Sequence, residues 1–283
     1  MSRTEGTPAI PQVMAIVNCT PDSFYDKGAT YRHEEALARA EEMLEQGASI
    51  IDVGGVKAGP GPLVDAREES RRIIPVIAEL HRRHPAALIS VDTWRAEVAA
   101  EAIAAGAGLV NDTWAGADPE LVEVAGAHGV GYVCSHTGGA TPRTRPHRVH
   151  YDDVVADVIA ETTALAERAV SCGVPREKIF IDPTHDFGKN SFHGLELLRR
   201  VEELVGTGWP VLMALSNKDF VGETVDRPVR ERVAGTLAAT AWAAQHGVAA
   251  FRVHEVAQTL DVIRMIAAIQ GSMAPLSTMR GLA

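Results

Sequence analysis

The sequence is poor in cysteine and has no long apolar segment. Its cysteines are Cys19, Cys134 and Cys172, too few and too widely spaced for a disulfide framework or a CxxC metal site. We therefore expect small buried thiols in a reducing compartment. No uninterrupted apolar run approaches the roughly 18 residues of a membrane-spanning helix, and the first residues lack an apolar signal segment. The sequence thus predicts a cytoplasmic protein without a membrane partner.

Basic residues are scarce as well. The 283 residues include 27 lysines and arginines against 37 aspartates and glutamates, which gives a formal net charge of −10. This mean field repels nucleic acid, so we expect no nucleic-acid partner, although it allows a local cationic pocket for a small-molecule substrate. The hydrophobic fraction of 46% is enough for a sizeable core.

One unit recurs along the whole chain: a short run rich in Val and Ile, a polar turn, and a longer stretch with helical periodicity. Eight strands are predicted, at residues 12–17, 48–53, 87–92, 107–111, 130–134, 178–182, 210–215 and 248–253. Eight helices alternate with them, at residues 33–46, 68–82, 94–105, 118–127, 151–171, 192–205, 228–245 and 255–269. The strand runs are continuous rather than alternating, which is typical of strands buried on both faces of a parallel sheet. The pattern predicts one α/β domain, a (β/α)8 TIM barrel over residues 1–283 with flexible ends at 1–11 and 272–283.

A polar residue stands at or near the end of every predicted strand. These residues are Asn18, Asp52, Asp92, Asn111, Ser135, Asp182, Ser216 and Arg252. Barrel active sites are built at this end of the strands, so we predict that the series lines a binding site. A single strand-end aspartate more often caps the following helix, and only the complete series favours a site.

The chemistry of part of this series favours a flat heterocyclic ligand. The carboxylates Asp92 and Asp182 accept from ring N–H groups. The Asn111 amide both donates and accepts, and Lys218 donates to a ring carbonyl. The sequence therefore predicts that these four side chains bind a ring with both donors and acceptors.

Arg252 and His254 favour a phosphate beside that ring. They are one residue apart on an extended strand end, so their side chains point the same way. Two neighbouring donors of this kind bind phosphate without a glycine-rich loop. A satisfied core histidine is the alternative interpretation for His254.

The stretch NCTPDSF, residues 18–24, directly follows the first predicted strand. Its residues are turn formers, and an ordinary turn is one interpretation. The other interpretation is a functional loop in which Asn18, Thr20 and Asp22 reach a ligand.

Several motifs resemble dihydropteroate synthase, in order and over essentially the whole chain. They are MAIVNCTPDSFYDKGATY, IDVGG, ISVDT, VNDT, IDP with FGK, SNKDFVG and FRVHEV. The resemblance implies a (β/α)8 barrel that joins 6-hydroxymethyl-7,8-dihydropterin diphosphate to p-aminobenzoate with release of pyrophosphate. It also implies a Mg²⁺ cofactor and a homodimer.

The resemblance assigns roles to individual residues. It implies a pterin-binding set made of Asp92, Asn111, Asp182 and Lys218. Asn18 would help to hold Mg²⁺ on the diphosphate, and Arg252 and His254 would contact the phosphates. The catalytic group would then be Asn18, Lys218, Arg252 and His254. Further substrate contacts would come from Thr20, Asp22 and Ser216, of which the first two belong to a mobile first loop.

The chain departs from the family pattern in three loops. After strand two it reads GGVKAGPG instead of GGES[ST]RPG, so Ala58 and Gly59 replace a hydroxyl residue and an arginine. After strand seven SRK becomes SNK, with Asn217. After strand six DPGFGFGK becomes DPTHDFGK, and a common methionine after strand five is Ser135. We expect these changes to lie on the p-aminobenzoate side, and we expect Gly59 and Gly61 to set a loop conformation closed to arginine.

The changed loops make this chain similar to the divergent second copies of dihydropteroate synthase, so synthase activity is expected to be weak. Three arginines after strand five are candidates to replace the missing one: Arg143, Arg145 and Arg148. A solvated surface loop is the alternative for that stretch.

Two other functions stay open at this stage. One is a paralogue that binds pterin without synthase activity. The other is a metal-dependent hydrolase on the same fold, whose candidate ligands are His136, Asp182, His185, Asp186 and His254. The hydrolase is disfavoured because no His-x-His pair follows strand one.

Overall fold

The computed structural model describes residues 10–20, 29–144 and 150–278, and of residues 29–32 the backbone alone. Asp22, Arg145 and Arg148 therefore lie outside the described residues, and so do most of the predicted flexible ends. Within the described ranges, no helix is long and apolar enough to cross a membrane.

Eight parallel strands form the centre of the molecule. They are β1 (Gln12–Asn18), β2 (Ile50–Gly54), β3 (Leu88–Asp92), β4 (Leu109–Asp112), β5 (Gly131–Ser135), β6 (Ile179–Asp182), β7 (Leu212–Met213) and β8 (Ala250–Val253). Their order is β6-β5-β4-β3-β2-β1-β8-β7. A parallel bridge between Ile181 and Val211 joins the two end strands and nearly closes the ring. The predicted (β/α)8 barrel is confirmed.

The helices surround this ring. They are α1 (Ala29–Glu45), α2 (Ala66–Arg83), α3 (Ala96–Ala104), α4 (Leu121–His128), α5 (Val154–Ser171), α6 (Ser191–Arg199), α7 (Val201–Val205), α8 (Asp219–Val225), α9 (Val233–Gln245) and α10 (Val256–Ile269). The predicted helix at 192–205 is divided into α6 and α7 at Arg200, whose φ of −109° and ψ of 26° leave the helical range. Helix α8 was not predicted, because its seven residues are too few to show a helical period.

Strand β7 is shorter than the predicted 210–215. Pro210 has no backbone N–H to donate, and only Leu212 and Met213 pair with β8. The chain beyond Met213 leaves the sheet and carries its polar residues into the mouth of the barrel.

The barrel interior changes from apolar to polar toward the carboxyl ends of the strands. A buried apolar layer contains Met14, Ile50, Leu109, Val133, Phe180, Leu212 and Ala250. Side chains two residues further along a strand point to the same side. In this case they are Ile16, Asp52, Asn111, Ser135, Asp182, Ala214 and Arg252. An apolar plug therefore supports a largely polar layer at the end of the barrel where the predicted site lies.

The three cysteines are free; Cys134 is fully buried as expected, whereas Cys19 and Cys172 are only partly buried. Burial raises the pKa of the Cys19 thiol to about 12. A thiol with so high a pKa is a poor nucleophile at neutral pH, which agrees with the structural role expected for it.

Candidate active site

Arg252 is the centre of a buried ionic network at the carboxyl end of the barrel. Its Nε donates to Asp52 Oδ2 and its Nη2 to Asp92 Oδ2, both at 2.6 Å. Ser90 Oγ donates to Asp52 Oδ1 at 2.6 Å. Asn111 Nδ2 donates to Asp52 Oδ2 at 3.0 Å. The guanidinium thus joins β8 to β2 and β3, and Asp52 extends the network to Asn111 on β4.

Asp52 received no role in the sequence analysis, although it stands in the series of strand-end residues. It is fully buried and accepts hydrogen bonds from Ser90, Asn111 and Arg252. One feature of the sequence could have identified Asp52 as part of the site: it stands two residues after the inward-facing Ile50 on β2. An aspartate at a buried inward position requires partners of opposite charge or donors.

The network shifts the protonation of its members. Burial raises the pKa of Asp92 to about 7, against the lowering effect of Arg252. Burial also acts to lower the pKa of Arg252, but the neighbouring carboxylates Asp52 and Asp92 hold it above its ordinary value. Arg252 therefore stays cationic, and the pKa of Asp92 lies above its ordinary value.

We expect Arg252→Ala to lower the free energy of unfolding by about 3 to 5 kcal/mol, because it leaves Asp52 and Asp92 as buried carboxylates without a counter-charge. Urea unfolding followed by circular dichroism measures this loss. The matched control is Arg39→Ala, which removes the exposed ion pair between Arg39 and Glu42 and should cost about 0 to 1 kcal/mol. Equal losses in the two variants would contradict a structural role for Arg252.

Asp182 is also almost fully buried at the end of β6. The Thr184 N–H donates to its Oδ1 at 2.8 Å, and no described residue donates to its Oδ2. Burial raises the pKa of Asp182 to about 6. One carboxylate oxygen is thus available for a ligand.

A cleft of about 300 Å³ lies above this polar layer. Its lining is contributed by Ile16, Asn18, Thr20, Val56, Lys57, Ala58, Asp92, Ala214, Ser216, Lys218, Arg252 and His254. Most of the predicted site residues are therefore brought together here, with Asn111 and Asp182 buried in the neighbouring strands. A larger cavity of about 620 Å³ lies at the opposite end of the barrel, near Gln12 and Val248, away from these side chains.

The turn after β6 contacts the predicted pterin-binding set. Asp186 pairs with Lys218, with 2.7 Å between Oδ2 and Nζ. Thr184 donates its N–H to Asp182. The expectation that the changed residues lie on the p-aminobenzoate side stays a prediction for this turn. Residues Thr184 and Asp186 contact Asp182 and Lys218, respectively, of the predicted pterin-binding set.

The turn after β7 is held by Glu255. Its carboxylate accepts from Ser216 Oγ at 2.5 Å and from Asn217 Nδ2 at 2.7 Å. Asn217 has a φ of +57°, in the left-handed region that asparagine tolerates better than most residues. The Asn217 amide is therefore turned toward Glu255 on the following strand end.

The turn after β2 is open at the position where the family has arginine. A Cβ atom at Gly59 would have no neighbour within 4 Å in the described part of the chain, and the backbone there is not left-handed. The expectation that Gly59 excludes arginine was wrong. Arg143 Nη1 donates to the Pro62 carbonyl at 2.6 Å, so the only one of the three candidate arginines within the described ranges lies against this same loop.

The residues predicted as metal ligands of a hydrolase do not form one cluster. His136 Nε2 lies 2.7 Å from Asp157 Oδ1, and its Nδ1 lies 2.7 Å from Lys189 Nζ. His185 stacks on Phe220, and its two ring nitrogens have no hydrogen-bond partner among the described residues. Among the described residues, only His136, Asp157 and Glu161 come close enough together to hold a metal ion. That group lies directly after β5 and on α5, and His136 is its only member among the five predicted ligands.

Similarity to known proteins extends over nearly the whole barrel. The family model for pterin binding enzymes matches residues 14–254. A Mycobacterium leprae (strain TN) protein named inactive dihydropteroate synthase 2 is 61% identical over 275 residues, which cover 96% of this chain and 94% of the relative. The structure of Xanthomonas albilineans dihydropteroate synthase with 4-aminobenzoic acid has a TM-score of 0.84 at 40% identity, over 92% of this chain and 93% of that chain. The same enzyme in complex with 7,8-dihydropteroate has a TM-score of 0.82 at 38% identity, over 92% and 94%.

Proposed function

Because the chain belongs to the pterin binding enzyme family, together with the dihydropteroate synthases, we propose that it binds 6-hydroxymethyl-7,8-dihydropterin diphosphate and condenses it with p-aminobenzoate only poorly. The ligand would occupy the cleft at the carboxyl end of the barrel. Its pterin ring would enter the polar layer, and its diphosphate would remain at the cationic rim.

The observation that carries this proposal is a pair of acceptor oxygens below the cleft to which no described residue donates. Asn111 Oδ1 is buried and has no hydrogen-bond partner, and no described residue donates to Asp182 Oδ2. A buried acceptor without a partner is costly unless a ligand supplies the donor. The ring N–H and amino groups of a pterin are donors of the required kind.

The rim supplies donors for the phosphate half. Arg252 is cationic, and His254 is exposed beside it in the cleft, whereas Lys218 would donate to the ring carbonyl of the pterin. Partial desolvation of its ring by the neighbouring groups, together with the nearby Arg252 charge, lowers the pKa of His254, so at neutral pH it would act as a neutral hydrogen-bond donor. In the proposed reaction the aryl amine attacks the pterin methylene carbon as the bond to diphosphate breaks. These donors would stabilise the negative charge that grows on the leaving group.

The family also implies Mg²⁺, and the donor chemistry at Asn18 fits it. Asn18 lines the cleft and carries an amide oxygen, and oxygen donors together with substrate phosphates are what Mg²⁺ prefers. We propose that Asn18 helps to hold Mg²⁺ against the diphosphate. When bound, the ion would neutralise charge on the leaving group.

The loops after β2 and β7 support the proposal that condensation with p-aminobenzoate is poor. Ala58 and Gly59 offer neither a hydroxyl nor a cation, and Asn217 donates to Glu255. The Mycobacterium leprae relative carries the word inactive in its name. A pterin-binding protein without any synthase turnover is therefore the second candidate function, favoured by the same observations. The homodimer stays a prediction that size-exclusion chromatography with light scattering can test.

The proposed function is tested by assaying pyrophosphate release with pterin diphosphate and Mg²⁺, with and without p-aminobenzoate. We expect a slow release that depends on p-aminobenzoate, in comparison with an authentic dihydropteroate synthase assayed in parallel. No dependence on p-aminobenzoate, with pterin still bound, would favour the second candidate. Failure to bind pterin would contradict both candidates.

We expect the affinity for pterin to depend on the ionisation of Asp182. The carboxylate accepts ring N–H groups, and burial raises its pKa to about 6. Affinity should therefore fall by about tenfold per pH unit below that value. The free-energy contribution of Asp182 to folding has the opposite trend: it is greatest below the unfolded pKa of about 3.9 and declines as pH rises to about 6. Fluorescence titration between pH 5 and about pH 8 measures the ligand profile, and Asp182→Asn should flatten it.

A further inference from the structure

Lys57 is a cation of the cleft that has no counterpart in the family pattern. It is exposed, lines the cleft together with Asn18 and Arg252, and stands where the motif GGES[ST]RPG has serine. The glutamate of that motif is Val56 in this chain, and residues 54–64 contain no acidic residue. The loop after β2 therefore brings a positive charge to the cleft without a counter-charge of its own.

The other lysine and the arginine that line the cleft are balanced by carboxylates. Lys218 Nζ lies 2.7 Å from Asp186 Oδ2. Arg252 pairs with two carboxylates, one on β2 and one on β3, both at 2.6 Å. Within the described ranges, no carboxylate forms an ion pair with Lys57. The three cations of this cleft lining thus differ in how much of their charge is offset.

Hydrogen bonds can be shared among several acceptors, whereas a charge that is offset is lost to the next anion. A guanidinium has five N–H donors and an ammonium has three, so Arg252 and Lys218 keep donors for a ligand. The carboxylates beside them nevertheless cancel most of their attraction for a further anion. Partial desolvation and the Arg252 charge lower the pKa of His254, so this residue adds no full charge at neutral pH. Among the described residues of the cleft lining, Lys57 therefore offers the uncompensated charge.

The loop that carries Lys57 is anchored on both sides. Arg72 Nη1 donates to the carbonyl of Gly55 at 2.9 Å, two residues before Lys57. Arg95 Nη2 donates to the carbonyl of Val64 at 2.7 Å, seven residues after it. These two contacts limit how far the loop can move, so Lys57 is held at the rim of the cleft.

The strand register places this loop beside the residue proposed to hold Mg²⁺. Strands β1 and β2 pair with Asn18 opposite Gly54, and Lys57 follows three residues later. In the proposed function, on which this inference rests, the diphosphate lies at this rim. The Lys57 ammonium is therefore on the side of the cleft where the phosphate oxygens would be.

We propose that Lys57 is a specificity-determining residue, whose ammonium supplies the charge that makes the cleft prefer a heterocycle diphosphate to the corresponding alcohol. Its partners are the negatively charged oxygens of the diphosphate. Arg252 and His254 contribute hydrogen bonds to the same group. The loop after β2, which lacks the arginine of the family pattern, thus retains a cation at a different position.

The test compares 6-hydroxymethyl-7,8-dihydropterin diphosphate with 6-hydroxymethyl-7,8-dihydropterin, by calorimetric titration of the full chain with Mg²⁺ present. Lys57→Met removes the charge at similar length, and Lys57→Arg retains it. We expect Lys57→Met to weaken the diphosphate by about tenfold and to leave the alcohol unchanged, because only the diphosphate carries charge for the ammonium. Lys57→Arg should resemble the unmodified protein. The matched control is Lys178→Met, which changes an exposed lysine directly before β6, at the opposite end of the barrel.

The salt dependence of binding distinguishes a charge from a structural role. Added salt screens interactions between exposed charges, so the affinity of the unmodified protein for the diphosphate should fall as sodium chloride is added. The decline should be shallower in Lys57→Met, which lacks the exposed charge. A variant that merely alters the loop would keep the original slope.

The preference for the diphosphate over the alcohol is the decisive quantity. A preference that falls in Lys57→Met and is kept in Lys57→Arg and Lys178→Met supports the inference. An unchanged preference in folded Lys57→Met, or an equal fall in Lys57→Arg or in the control, overturns the inference and leaves the proposed function intact. Binding of neither ligand by the unmodified protein overturns the inference and the proposed function together. Thermal unfolding of each variant establishes that it is folded.

Discussion

Replacing Asp182 with asparagine is expected to weaken the binding of pterin diphosphate by about 100-fold or more. The carboxylate is buried, and its Oδ2 has no donor among the described residues. Each hydrogen bond from a ring N–H group to this charged acceptor is worth about 1.5 to 3 kcal/mol. Asparagine places either an N–H₂ group or a neutral oxygen there, so at least one of two such bonds is lost. Asp182→Ala should abolish measurable binding.

The asparagine variant separates ligand recognition from folding. In Asp182→Asn the introduced amide can still accept the Thr184 N–H through its Oδ1, so the turn after β6 should be maintained. The matched control is Asp261→Asn, which changes an exposed aspartate on α10. Isothermal titration calorimetry with Mg²⁺ present measures the affinities. Undiminished affinity in Asp182→Asn and Asp182→Ala would remove the pterin assignment.

Restoring the family residues in the changed loops is expected to increase synthase turnover by about tenfold. The triple change is Ala58→Thr, Gly59→Arg and Asn217→Arg. A donor that acts only as charge separates can be worth about 2.7 to 4 kcal/mol of transition-state stabilisation. The gain from arginine at position 59 should be larger than the gain from arginine at position 217, because a side chain at 59 meets no described residue.

The gain at position 217 should be small. Its backbone has a φ of +57°, which arginine adopts less readily than asparagine. The neighbouring Glu255 accepts from Asn217 at 2.7 Å and would pair with an arginine, which withdraws the charge from the substrate. We therefore expect the double change Ala58→Thr and Gly59→Arg to give most of the increase in the triple variant.

Sulfonamides provide the control for the restored loops. They mimic p-aminobenzoate, so the unmodified protein should be insensitive to them, and the variants should gain sensitivity along with turnover. Turnover is measured as pyrophosphate release that depends on p-aminobenzoate. Rapid turnover by the unmodified protein, inhibited by a sulfonamide at ordinary concentrations, would contradict an altered p-aminobenzoate site.

The fold could be predicted because each of its units is local. Apolar runs, turns and helical periods recur in register with the eight strands, and this repetition identifies a barrel without knowledge of any long-range contact. The exceptions are short elements. Helix α8 has only seven residues, and the break between α6 and α7 depends on the backbone conformation of Arg200 alone. Sequence periodicity does not reveal elements this short, because packing and turn conformation determine them.

The site could be predicted only in part, because its most important contacts join distant residues. Arg252 was expected to contact phosphate, but its partners Asp52 and Asp92 lie 200 and 160 residues earlier in the chain. The Asp186 pair with Lys218 likewise requires the turns after β6 and β7 to be neighbours, as they are in the ring. Sequence pattern identifies which residues reach the carboxyl end of the barrel, whereas their pairing follows from the closed sheet.

The most direct test of the central claim is a two-step calorimetric titration of the purified protein. The first step adds 6-hydroxymethyl-7,8-dihydropterin diphosphate with Mg²⁺, and the second adds p-aminobenzoate to the saturated complex. To prevent turnover from adding heat to the second step, pterin and pyrophosphate replace pterin diphosphate in a parallel titration. We predict saturable binding in the first step and little or no binding heat in the second. Tight binding of p-aminobenzoate in the second step, or no binding in the first, would contradict the account.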